Sequence, residues 1–206
     1  MIVDTNSDCT AQAAWLVNRG VEFVGRYYSS VDASKIVSKA EAQALCQQGI
    51  KLFAVYEDYG NANQTNLTVA EGQAHAQAAK AQAQAIGQPA GSVIYFALEG
   101  LPNGYKAADL PGIRTYFNAV IGVLGADYKA GVYGDGVVCK TLLDEGLTSH
   151  TWLAQAAWTF EGTQAFYASK RWNLAQIIGN LPMKPWRGLS IDINEGLGDI
   201  GAFSVP

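Results

Sequence analysis

Val93-Ile94-Tyr95-Phe96-Ala97-Leu98-Glu99 is an apolar, β-forming run that stops on a carboxylate. A stretch of helical character precedes it, Thr68–Ile86, and another follows, Leu110–Leu124. A short strand between longer helices is the unit of a parallel sheet covered by helices. Outward in both directions the alternation repeats. Strands are expected at Ile2–Asp4, Glu22–Tyr27, Lys51–Tyr56, Val93–Leu98, Lys129–Tyr133, Thr151–Gln155, Leu174–Ile178 and Leu189–Asp192. Eight strands with intervening helices fit an α/β chain closed into a single (β/α)₈ TIM barrel better than an open doubly wound sheet. No GxGxxG follows the first strand and no Walker A sequence occurs, so a nucleotide fold has no motif behind it.

Local signals sharpen the helices. Cys9–Asn18 follows the first strand and stops at Gly20. Ser38–Gln48 opens with a capping box of Ser38 and Glu41 and ends at Gly49. Thr68–Ile86 opens with another, Thr68 and Glu71, and closes at Gly87. Its Ala/Gln content gives high helix propensity with little apolar bulk, so it is expected outside the barrel, turning small residues inward. Leu110–Leu124 and Gly136–Glu145 complete the clear set. Glu161–Lys170 reads equally as helix or loop. Gly179–Arg187 carries Pro182 and Pro185 and is expected to hold no full helix, leaving the last helix irregular or missing.

Length and composition bound the rest. The 206 residues suggest one domain over 1–206, at the short end for an eightfold barrel. An apolar fraction of 49% and mean hydropathy of +0.03 predict an ordered globule. The net charge of −4 argues against nucleic acid as the main partner, because phosphate binding needs a basic patch. No apolar run approaches the roughly 20 residues of a membrane-spanning helix. No basic n-region precedes an apolar stretch, so the sequence predicts either a domain of a longer protein or export without a Sec signal. Cys9, Cys46 and Cys139 have the spacing of neither a disulfide framework nor a zinc site and read as free thiols. His75, mid-helix, and His150, in a loop, are expected at the surface. Neither has a Ser or Cys partner in a recognisable motif. A monomer without a cofactor or a metal is expected.

In a barrel of this kind chemistry sits where strands end. Four acids meet that condition: Asp4 after the first strand, Glu57 after the third, Glu99 after the fourth and Asp192 at the end of the eighth. A lone carboxylate at a strand end is often a helix cap. Four on one mouth point to a shared site, and the first and eighth strands are neighbours, so Asp4 and Asp192 should raise one another's pKa. Glycosidic cleavage uses such a set: one carboxyl kept protonated to donate to the leaving oxygen, another to stabilise or attack the anomeric carbon or to activate water. Glu99, flanked by Tyr95, Phe96 and Leu98, is the candidate acid. Asp4 and Asp192 are candidates for the second role. Glu57 is assigned to substrate hydroxyls. Tyr27, Tyr28, Tyr56, Tyr133, Trp152 and Trp158 lie on or just beyond strand ends, and their faces suit pyranose rings. Tyr27, Tyr56, Tyr133, Trp152 and Trp158 are taken as sugar-binding. Trp15 and Trp172 are read as packing. Gln155 and Gln176 could hydrogen-bond hydroxyls or an acetamido group, and Arg26 could pair with Glu57 or another of the acids or equally form a purely structural ion pair. A hard cation among the four acids is the metal-dependent alternative.

Several of these stretches together resemble a known family. Val3-Asp4-Thr5-Asn6, the run from Phe23 to Tyr28, Val55-Tyr56-Glu57, Ile94 to Glu99, Gly131 to Gly134 and Ile191-Asp192-Ile193-Asn194 are similar, in order, to the glycoside-hydrolase-like domain family of the DUF1906 type. That family has a TIM barrel related to the family 25 lysozymes. The resemblance implies peptidoglycan, or another polymer of N-acetylated sugars, as substrate. It implies a muramidase-like activity, as in a phage lysin or a secreted effector. Glu99 matches the catalytic glutamate of the lysozymes' fourth-strand Asp-x-Glu, and Ala97 stands where their aspartate would. The glycoside-hydrolase-like relatives carry two acids there; Glu99 replaces the first and Leu101 the second. Asp4, Glu57 and Asp192 match acids of the first, third and last strands. A carbohydrate-binding barrel with little or no turnover is the alternative that Ala97 and Leu101 suggest.

Overall fold

The computed structural model describes residues 1–58, 67–99, 101–181 and 184–206. Its strands are β1 (Ile2–Asp4), β2 (Phe23–Tyr28), β3 (Lys51–Tyr56), β4 (Val93–Leu98), β5 (Lys129–Gly134), β6 (His150–Leu153), β7 (Leu174–Leu181) and β8 (Ile191–Gly196). They close in sequence order into one barrel. The helices are α1 (Ala13–Asn18), α2 (Lys39–Gln47), α3 (Val69–Ile86), α4 (Leu110–Leu124), α5 (Gly136–Asp144) and α6 (Thr163–Ala168). The ambiguous stretch 161–170 is thus helical over 163–168, and the expected helix at Cys9 begins as a 3₁₀ turn, Thr10–Gln12, before α1.

One expectation is corrected. β1 to β7 run parallel to their neighbours, but β8 is antiparallel to both β7 and β1. A parallel return needs a crossover of a dozen or more residues. Between β7 and β8 the described residues hold a single 3₁₀ turn, Lys184–Trp186, with Pro185 in its middle. The chain therefore comes straight back. Pro182 lies outside the described residues. β8 also runs later than expected, from Ile191 to Gly196, so Asp192 sits near its start. In an antiparallel strand the start, not the end, lies at the mouth. Asp192 reaches the predicted place by the opposite direction of travel.

Strand alternation divides the core into two layers. Phe53, Val55, Val93, Tyr95, Ala97, Tyr133, Trp152 and Leu174 fill the barrel. Val24, Leu52, Ala54, Ile94, Phe96 and Leu153 face outward against helix residues such as Leu16, Leu45, Ile113, Phe117 and Leu142. α3 turns Gly72, Ala76, Ala79 and Ala83 inward, as its composition predicted. Gly72 is needed there: an added Cβ would lie 2.5 Å from the Tyr116 carbonyl oxygen on α4.

The base of the barrel is stoppered by the C-terminal segment. Phe203 exchanges backbone bonds with Leu52 at 2.7 and 2.8 Å, and the Tyr95 hydroxyl donates to the Ile200 carbonyl at 3.0 Å. Both histidines depart from the expected surface position. His150 opens β6, is 5% exposed and lies 3.4 Å from Asp199. His75 is half-buried between the Tyr56 and Tyr116 rings, 3.6 Å from Asp58. The three thiols are free, with Cys9 and Cys139 buried.

Candidate active site

The mouth is built by inward positions at the C-terminal ends of the parallel strands and the start of β8. Asp4 is its most buried member, with no exposed surface. Its carboxylate accepts from Asn194 Nδ2 at 2.7 Å, from Gln176 Nε2 at 3.1 and 3.3 Å, and from the Tyr27 hydroxyl at 3.3 Å. Gln176 Nε2 also donates to Asp192 Oδ2 at 2.9 Å. The oxygen of the same amide accepts from the Tyr133 hydroxyl at 3.1 Å and the Gln155 backbone N–H at 3.2 Å. Trp152 Nε1 donates to Asn194 Oδ1 at 2.8 Å. Asp4 and Asp192 are register partners across the antiparallel β1–β8 pair. Burial, and then the charge of Asp192, push the Asp4 carboxyl up to about 7 against those three donors.

Glu99 follows β4 and is half-buried. Burial first, then the charge of Glu57, push it up to about 7; a hydrogen bond from Tyr133 pulls the other way, and Asp192 and Asp135 add to the rise. Glu57 follows β3. Burial raises its carboxyl too, but Lys35 Nζ, 3.8 Å from Oε1, opposes that. Beside Glu99 a cavity of about 260 Å³ opens, walled by Leu98, Leu101, Pro102, Tyr105 and Phe160 with Asp135 at its edge. Among the described residues no three His, Cys, Asp or Glu side chains form a metal-ligating group.

Two predicted members do not belong to the mouth. Arg26 points outward and is 1% exposed. Its guanidinium donates to Glu41 through Nε at 2.7 Å and Nη2 at 3.0 Å, and to the Thr5 carbonyl at 2.6 Å. Glu41 Oε1 also takes the Cys9 N–H at 2.9 Å, so the pair ties α2 to the barrel wall. Tyr56 also faces outward, donating to Asp58 Oδ2 at 2.6 Å and packing on Phe96 and His75. Period-two alternation explains both: if Tyr27 and Glu57 look inward, Arg26 and Tyr56 cannot. Gln155 lies in a 3₁₀ turn beyond β6, not on the strand, and meets the cluster through its backbone. Trp158 sits at the rim, its indole N–H on the Gln176 carbonyl at 3.2 Å and its ring edge-on to Tyr167.

Three neighbours of the site escaped the sequence reading. Asn194 stands two positions after Asp192 and so faces the same side, a signal that was present in Ile-Asp-Ile-Asn. Asp135 follows β5 by the same strand-end rule as the other acids. It caps α5 through Val138 N–H at 2.9 Å and holds the Tyr105 N–H at 2.7 Å. Lys35 comes from a 3₁₀ turn, Ala33–Lys35, and no local signal marks it.

Comparison with known proteins agrees with this architecture. The Tat-secreted protein Rv2525c of Mycobacterium tuberculosis has the same fold, with a TM-score of 0.80, 20% identity and coverage of 98% of this chain and 97% of that one. The catalytic domain of endolysin ply40 from Listeria monocytogenes bacteriophage P40 superposes with a TM-score of 0.53 at 15% identity, covering 97% and 95%. Among curated sequences, the Bacillus subtilis (strain 168) proteins FadG and YbfG, both named as uncharacterized, are 27% and 28% identical. The alignments cover 84% of this chain but only 31% and 25% of those longer proteins. The family model for the Rv2525c-like, glycoside hydrolase-like domain matches residues 13–194, which takes in Glu57, Glu99 and Asp192. The chain belongs to the Rv2525c-like glycoside hydrolase-like domain family.

Proposed function

We propose that this domain hydrolyses glycosidic bonds in the glycan strands of bacterial peptidoglycan, a muramidase-like reaction with Glu99 as general acid. The observation that carries the reading is Glu99 itself, a carboxyl raised to about 7 at the barrel mouth among other acids. An acid whose pKa lies near the working pH is both protonated enough to donate and acidic enough to do so. Glu99 gives its proton to the leaving oxygen, and a second carboxylate of the mouth stabilises positive charge on the sugar. Tyr27, Tyr133 and Gln176 orient the ring and its hydroxyls, Trp152 packs beneath them in the barrel core, and Trp158 extends the binding surface along the rim. Family membership and the endolysin fold support a glycan substrate, and the secreted Rv2525c supports export to the cell wall. No helix among the described residues is long and apolar enough to cross a membrane.

A second reading, a glycan-binding barrel without turnover, draws on Ala97. It occupies the inward position two residues before Glu99 with only a methyl group. Mass spectrometry of purified peptidoglycan after incubation separates the two. The hydrolase reading expects soluble muropeptides from the wild type and none from Glu99→Gln at unchanged thermal stability. Saturable binding with no new reducing ends would establish the binding barrel instead.

A further inference from the structure

We propose that Glu57 is the second catalytic carboxylate, the anion facing the anomeric carbon, and that Lys35 is the positioning residue that keeps it charged. The inference rests on the hydrolase reading and names a partner for Glu99.

Elimination among the acids comes first. Asp4 is fully enclosed, and both its oxygens are occupied by Asn194, Gln176 and Tyr27. Asp192 stands in register beside it at the β1–β8 seam and is tied to the same Gln176 amide. Asp135 is engaged by the backbone N–H groups of Val138 and Tyr105. Glu57 differs. It lies on the strand next to that of Glu99, and pairing of Tyr56 with Phe96 sets it level with Ala97, two residues below Glu99. The Glu57 backbone is fixed through its N–H to the Tyr28 carbonyl at 3.0 Å. Among the described residues Lys35 alone contacts its carboxylate.

Lys35 is itself unusual. It is 9% exposed, and its ammonium lies 5.3 Å from the centroid of the Tyr27 ring, the same tyrosine that donates to Asp4. Lysine is rarely buried without a partner and a reason. The charge of Glu57 raises the Glu99 carboxyl, and a cation beside one of two coupled carboxyls favours ionisation of that one. The groups around Glu57 are Lys35 from the 3₁₀ turn, Glu99 after β4, Tyr27 on β2 and Tyr133 on β5. Asp58, next in the chain, turns away to Ser29, Ser30 and Tyr56. Lys35 is the sole cation in that set, and it sits on Glu57.

The division of labour balances. The Glu99 proton moves to the leaving oxygen, which keeps the bonding pair as the bond to the anomeric carbon breaks. The Glu57 carboxylate faces the positive charge left on that carbon. Water then adds there, and its proton returns to Glu99.

The experiment follows muropeptide release across pH, with binding of a soluble glycan fragment measured separately by calorimetry. Glu57→Gln is expected to lower kcat about 10²–10³-fold, the range for loss of one transition-state charge contact, with fragment affinity within a few-fold. Lys35→Met is expected to move the rising, acid limb of the pH profile upward by about one unit or more, and Lys35→Arg to restore it. Glu57→Gln turnover within threefold of wild type overturns the assignment, as does an unmoved acid limb in a folded Lys35→Met variant. Should wild type and Glu99→Gln both release nothing, the hydrolase reading falls and takes the assignment with it. Loss in Glu99→Gln with none in Glu57→Gln removes the assignment alone.

Discussion

Asp4 and Asp192 face each other across the antiparallel β1–β8 seam, with one amide group, Gln176 Nε2, donating to both. Burial, and then the charge of Asp192, let Asp4 keep its proton to a higher pH than a free aspartate. The pair is therefore a stability element as well as part of the mouth.

Its sign is opposite to that of an ordinary ion-paired acid. The Asp4 carboxyl sits at about 7 in the fold against 3.8 for a free aspartate, so the native state binds the extra proton. The stability it contributes is whole below the lower value and is lost as pH rises through the upper one. Relative to wild type, Asp4→Asn should thus gain stability between about pH 4 and pH 7, by up to about 1.4 kcal/mol per pH unit, and level off above. The slope is the test, because the amide fits the Asn194 and Gln176 donors less well and shifts the whole curve. Urea unfolding across that range reads it, and parallel curves for the two proteins would contradict it.

Strand alternation makes a paired prediction about tyrosines. Tyr133→Phe removes the hydroxyl that Gln176 and Glu99 share and is expected to reduce muropeptide release about tenfold or more. Tyr56→Phe loses a donor to buried Asp58 and should reduce unfolding free energy by about 1.5–3 kcal/mol, with turnover within twofold. Urea melts alongside the release assay check both, and a reversed pattern would put Tyr56 back in the mouth.

Two helical glycines should respond oppositely to alanine. At Gly72 the added methyl meets the Tyr116 carbonyl, and overpacking of this kind costs about 1–3 kcal/mol. At Gly122, exposed on α4 with nothing within 4 Å, alanine should stabilise by up to about 1 kcal/mol. Thermal melts of the two variants suffice. A stable Gly72→Ala protein would mean that α3 and α4 are free to separate.

Much of this molecule was legible before any coordinates. Val93–Leu98, Lys51–Tyr56 and Leu110–Leu124 fall where apolar runs and capping signals put them, because each is decided by local pattern. The acids at Asp4, Glu57 and Glu99 follow from strand ends alone. What local pattern left open was direction. Nothing in Leu189–Asp192 says which way the strand runs; that is settled by how little chain separates it from β7. Arg26 and Tyr56 were misassigned for a different reason: they were read as strand-end residues without asking which face their neighbours had already claimed. Lys35 was invisible because it reaches the mouth from an irregular turn, where neither period applies.

The stitching of the first strand to the last also sets a schedule for biosynthesis. Asp4 is synthesised before two of its partners, Gln176 and Asn194, which are 172 and 190 positions downstream. Until β7 and β8 have emerged, the aspartate has neither donor, and the barrel has an unsealed edge between β1 and its missing neighbour. A chain that stops short of β8 thus carries no assembled acid cluster.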